Sequence, residues 1–111
     1  MNYRRGESPE RVAAWRTAAA NGDIEAMLDV ARIAARTPDG FEEAERMLRC
    51  AADHGSARAR HELGVMLWRR GERDEGEALV HRAALDGYQD ALATMGNLCE
   101  KRGESEEADR W

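Results

Sequence analysis

Few side chains in this 111-residue sequence are of the kinds that make and break bonds. The three histidines, His54, His61 and His81, show no HExxH spacing and no two stand four apart, so no zinc-binding helix face is suggested. Cys50 and Cys99 form no CxxC pair, which leaves reduced, buried thiols rather than a disulfide framework or zinc ribbon. The carboxylate pairs Glu42–Glu43 and Glu106–Glu107 fall where the first turn of a helix is expected, and there negative charge meets the positive end of the helix dipole. Acid–base work would need a pocket with perturbed pKa values that no spacing here suggests. Neither GxxxxGK[ST] nor GxGxxG occurs. The chain is therefore expected not to be an enzyme and to carry no cofactor and no metal. What remains is recognition chemistry. Trp68 stands next to Arg69, and Arg32, Arg36 and Lys101 are further cations able to pair with an acidic or terminal carboxylate group. An aromatic flanked by arginine is the composition enriched at binding hot spots. Trp68 also fits a plainer role, packing against a neighbouring hairpin.

The elements that position these side chains must be helices. Twenty alanines and a charged fraction of 35% explain how a chain that is 42% hydrophobic has a mean hydropathy of only −0.76. Alanine is both the best helix former and the smallest spacer, so closely approaching helices are expected and sheets are not. The length suits one domain that buries a core without staples. A net charge of −5 argues against a dedicated nucleic-acid binder, although 16 of the 17 basic residues are arginine. "RARHE" and "RRGER" are arginine-rich, but interleaved acids weaken them as a nucleic-acid surface. That arginine bias suits a GC-rich, bacterial genome. No apolar run approaches the ~18 residues of a membrane span, and MNYRRGESPER is not followed by the apolar core of a secretory signal. A cytoplasmic protein without membrane contact is expected.

The chain repeats itself. Aligning "AANGDIEA", "ADHGSARA" and "LDGYQDA" puts Gly22, Gly55 and Gly87 at intervals of 33 and 32 residues. The register carries through Ala26, Ala59 and Ala91, through Val30, Leu63 and Met95, and through Ala31, Gly64 and Gly96. Ala44, Gly76 and Ala108 recur in the same way, as do Leu48 with Val80 and Ala51 with Ala83. The extra residue of the first unit belongs to its "TPDG" loop. Apolar positions at helical spacing, with N-caps at Ser8, Asp23, Ser56 and Ser105 and closing glycines, predict helices over 9–20, 23–36, 41–53, 56–70, 74–86, 88–102 and from 105 onward. A single helical repeat domain spanning 1–111 results, with a tail at 1–8, a leading helix at 9–22, repeats at 23–55 and 56–87, and an incomplete repeat at 88–111. Small residues then face one another across each hairpin: Ala31 with Ala44, Gly64 with Gly76, Gly96 with Ala108. Gly64, in the middle of "HELGVMLWRRG", is explained by backbones that nearly touch.

These positions resemble the tetratricopeptide repeat superfamily, and the glycine-ended units "AADHG" and "AALDG" look most like its Sel-one-like branch. Leu63, Gly64 and Leu67 match the family's large, small, large triplet, and Gly76, Val80 and Ala83 follow in its order. The resemblance covers roughly 19–111. It implies an all-α fold, an α-solenoid of antiparallel helix hairpins with about three units and a leading helix. It also implies a non-enzymatic interaction module that holds a peptide or protein partner, with acidic groups favoured, on the concave face lined by the first helix of each unit. By register the outward positions include Leu28, Arg32 and Arg36, then His61, Val65, Trp68 and Arg69, then Thr94, Asn97 and Lys101. The expected partner-binding set is Arg32, Arg36, His61, Val65, Trp68, Arg69, Asn97 and Lys101. Met27, Arg60 and Leu92 replace the family's early aromatic, and the closing proline is missing. Of the lysine and asparagine positions of the peptide-carboxylate clamp found in some relatives only Asn97 matches, so that activity does not carry over. The alternative is a structural role in which exposed ends, including Trp111 and the leading helix around Val12 and Trp15, join copies into a homodimer or longer assembly. The short last helix also leaves open that the chain is a piece of a longer array.

Overall fold

The computed structural model describes the backbone of residues 6–101 and, Cys99 and Lys101 excepted, their side chains. The described residues form six α-helices and one short 3-10 turn, with no strand among them. The all-helical class expected from composition is observed. Contacts gather the chain into two compact units, 1–54 and 55–111.

The first unit contains α1 (Pro9–Ala20), α2 (Ile24–Ala34), the turn Pro38–Gly40 and α3 (Phe41–Asp53). Ser8 caps α1, its hydroxyl oxygen accepting from the Arg11 amide at 3.1 Å, and Pro9 fills the first helical position where no amide partner is needed. Asp23 caps α2 by accepting from Ala26 N–H at 3.1 Å. The "TPDG" loop is the 3-10 turn, so the inserted residue of the first repeat lies outside the helices as its composition predicts. α2 packs against both α1 and α3. Seven of its eleven residues are buried, among them Leu28 at 4% exposure. This corrects the outward placement of Leu28: a helix with a neighbour on either side has little free circumference left.

The second unit contains α4 (Ala57–Arg69), α5 (Arg73–Leu85) and α6 (Gln89–Lys101). Ser56 caps α4 by accepting from Ala59 N–H at 3.1 Å. α4 ends in a Schellman motif, with Glu72 N–H bonded to Leu67 C=O and Gly71 N–H to Trp68 C=O. Gly71 has φ of 99°, a conformation a side chain would strain. All six expected helices within the described residues are present with ends displaced by at most two residues. The helix expected from 105 onward lies outside them.

The α4–α5 hairpin answers why a glycine interrupts a good helix. A Cβ on Gly64 would lie 2.6 Å from the Gly76 carbonyl oxygen and 2.7 Å from Val80 Cγ2. One on Gly76 would lie 2.6 Å from the Gly64 carbonyl oxygen and 2.8 Å from the Trp68 nitrogen. The two backbones meet directly, as the repeat register predicts. Ala31 and Ala44 are likewise buried, on helices that pack together. Ala108, the expected partner of Gly96, lies outside the described residues. Beside this crossing, Val80, Ala83, Ala84, Ala91 and Met95 form a buried cluster, with Val65, Tyr88 and Leu92 packed on it.

Candidate functional site

On α4, Val65, Trp68 and Arg69 follow i, i+3, i+4 spacing and so share one face. On α6, Thr94, Asn97 and Leu98 repeat that spacing. These two stripes line a single open cleft of about 170 Å³. Sites for drug-sized molecules run from roughly 300 to 1,000 Å³, so this one fits a side chain or two of a larger partner. The walls differ in chemistry. Val65, Leu98 and the indole of Trp68 supply apolar surface, Asn97 and Thr94 supply hydrogen-bonding groups, and Arg69 supplies a cation at an exposed position.

Trp68 is held from behind. Its indole N–H donates to Glu77 Oε1 at 3.3 Å, and the Arg73 guanidinium sits 5.1 Å from the ring centroid. Its own Cβ is 3.0 Å from where a Cβ on Gly76 would stand, so the hairpin crossing fixes the residue's backbone as well. Trp68 thus packs within its own hairpin, not against a neighbouring one as its plainer role had it, and it also walls the cleft.

His61, one turn before Val65, ties the two stripes together. Its Nε2 lies 2.7 Å from Thr94 Oγ1, and the Thr94 hydroxyl donates to the Asp90 carbonyl at 2.9 Å. The Thr94 oxygen therefore accepts from His61 Nε2–H, which assigns the neutral tautomer. Nδ1 is then a bare acceptor, buried without a hydrogen-bond partner among the described residues. Tyr88 lies over the ring at 5.4 Å, tilted by 52°. Burial lowers the His61 pKa against the opposing pull of Asp90 and Glu62. The Tyr88 phenol is pushed up, first by burial and then by Asp90, to which its hydroxyl donates at 3.3 Å.

Arg32 is on α2 and Arg36 in the turn that follows it, in the first unit, and their surroundings differ from those expected. Rather than facing a partner's acid, both hold Glu7, from the segment before α1. Arg36 Nη1 and Nη2 donate to the two Glu7 carboxylate oxygens at 2.7 and 2.8 Å, and Arg32 Nη1 donates to Oε2 at 2.5 Å. The Glu7 side chain is only 5% exposed. Hydrogen bonding to Glu7 raises the Arg36 pKa, with burial working the other way. Arg32 also pairs with Asp29 at 3.3 Å and stands 5.8 Å from the Trp15 ring centroid.

Of the eight residues expected to bind a partner, Val65, Trp68, Arg69 and Asn97 meet in the cleft, and His61 braces it through Thr94. Arg32 and Arg36 make a separate cluster. The Lys101 side chain lies outside the described residues. Leu98 and Glu7 are what sequence reasoning missed. Leu98 is signalled by the spacing that makes it a neighbour of Thr94 and Asn97. Glu7 has only an indirect sign: two arginines four apart repel each other and call for an anion between them.

No protein-family model, curated protein or solved structure matches the chain.

Cys50 is half-buried rather than fully buried, with Sγ 3.9 Å from His54 Nδ1. That ring nitrogen donates to the Cys50 carbonyl at 2.8 Å, so the pair is a helix-end contact. Among the described residues no three potential ligands gather where a metal could be held, and none of the helices is long and apolar enough to cross a membrane.

Proposed function

We propose that this protein is a non-enzymatic interaction module of the tetratricopeptide-like, Sel-one-like kind, working in the cytoplasm by holding a peptide or protein partner against the first helices of its hairpins. The observation that carries the reading is the cleft between α4 and α6. Four residues chosen by repeat register and side-chain chemistry, Val65, Trp68, Arg69 and Asn97, line it together. A part-buried aromatic fixed by its own hairpin loses little entropy on contact, which is what a binding anchor requires. The partner this surface favours offers an apolar side chain to Val65, Trp68 and Leu98 and an acidic group to Arg69.

The solenoid architecture belongs to the same proposal. It is supported by the repeated cap, hairpin and glycine closure: Asp23 and Ser56 cap α2 and α4 in the same way, one repeat apart. Gly22, Gly71 and Gly87 close α1, α4 and α5 with the same pair of amide bonds. The assembly alternative is less favoured. Val12 is buried at 5% exposure and Trp15 is half-buried beside Arg32, which leaves less apolar surface on the leading helix than that reading needs; Trp111, its other element, lies outside the described residues.

The test is an affinity capture from source-cell lysate with the full chain and with Trp68→Ala and Arg69→Glu, the captured proteins being identified and quantified by mass spectrometry. Truncating a hot-spot aromatic costs about 2 kcal/mol or more, so partners of the cleft should be depleted at least about tenfold with Trp68→Ala. An unchanged set of captured proteins would remove the cleft from the function.

A further inference from the structure

A carboxylate buried to 5% exposure, in a segment that belongs to no helix, is an unusual thing to order. Glu7 is held by a guanidinium fork, two nearly equal bonds from Arg36 to its two oxygens, and by a third bond from Arg32. Fork geometry of this kind selects a planar, two-oxygen acid over a point charge. Trp15 and Asp29 steady Arg32 from the other side. The whole arrangement has the form of a recognition site with an acid already in it. Beside Glu7 the same segment makes two more contacts: the Gly6 carbonyl accepts from Arg11 at 2.9 Å, and Ser8 gives the helix cap.

We infer that Arg32 and Arg36 form a carboxylate-binding site on the first unit whose resident occupant is Glu7, so that Glu7 is a self-ligand. An acidic segment of a partner takes this site only by displacing Glu7. The site is distinct from the cleft of α4 and α6, and it rests on the interaction reading only for the use to which a displaced Glu7 is put. Exchange of one carboxylate for another keeps the ion-pair count constant. The competition is therefore decided by the second and third acids a partner brings and by the tether that keeps Glu7 at high local concentration.

The experiment measures binding of fluorescein-labelled hexaglutamate to the full-length chain by fluorescence anisotropy at low salt, with labelled hexaglutamine as the uncharged control. Glu7→Gln, which keeps the size and removes the charge, should bind hexaglutamate at least about fivefold more tightly than the unaltered chain, the lower end of ordinary coupling between sites. Adding Arg36→Gln to Glu7→Gln should abolish that gain. Helix content by circular dichroism establishes that each variant is folded. Should Glu7→Gln fail that check, Glu7→Asp, with its reach one methylene shorter, should give a smaller gain of the same sign. Absence of any gain, a gain that persists without Arg36, or equal binding of hexaglutamine would each overturn the inference. The two proposals fail separately. Loss of captured proteins with Trp68→Ala but no gain with Glu7→Gln retains the cleft and rejects the self-ligand, and the opposite pair of results does the reverse.

Discussion

At the scale of single residues, His61 is the side chain whose state depends most on its setting. Neutral, it donates once to Thr94 and leaves Nδ1 bare; charged, it must also bury a second N–H that has no acceptor there among the described residues. The groups around it on both helices oppose one another: burial lowers the pKa, Asp90 on α6 and Glu62 on α4 raise it, and burial wins. A histidine whose folded pKa is depressed stabilises the fold above its unfolded value of about 6.5, and that contribution is lost as pH falls through the folded value. Urea unfolding should therefore show stability declining below about pH 6.5, with the decline smaller in His61→Gln than in the unaltered chain. Equal slopes in both would mean that other groups carry the acid sensitivity. Trp68 teaches a related lesson about reading residues. Glu77 and Arg73 hold the indole within its own hairpin while the residue also lines the cleft, so packing contacts do not take it out of the cleft wall.

At the scale of elements, Gly64 makes a sharp prediction because two effects of opposite sign meet there. In an exposed helix, glycine to alanine stabilises by about 1 kcal/mol. Here the new methyl group would stand 2.6 Å from a backbone carbonyl oxygen, which cannot swing aside as the end of a flexible side chain does. Overpacking costs of roughly 1–3 kcal/mol then win, so Gly64→Ala should lower the melting temperature. Gly64→Leu should lose more than about 2 kcal/mol. A thermal melt showing either variant unchanged or stabilised would contradict the backbone contact. The helices themselves were legible in the sequence, since proline, cap residues and closing glycines act within a few residues of where they stand. Position along the chain, however, does not say how many neighbours an element has. The register of Leu28 is that of an outward stripe, yet the residue is buried because α2 is covered by α1 as well as α3.

For the molecule as a whole, the interaction module proposed above is expected to be a single chain in solution. The net charge of −5 opposes self-association, and the large hydrophobics exposed among the described residues are two, Phe41 and Leu85, in different units. Light scattering should return the 12.4 kDa of one chain across a concentration series, and a mass that doubles would restore the assembly alternative. The sequence alone determined what depends on local chemistry and on period: six helices, the caps of three of them, the glycine pair of the α4–α5 hairpin, and four of the residues that line one cleft. Tertiary structure alone decided which polar groups far apart in the chain find each other. Glu7 lies 25 and 29 residues from the arginines that hold it, and His61 lies 33 from Thr94. Pairing over such distances is set by how helices pack and by which side chains can be buried together, quantities that no local pattern encodes.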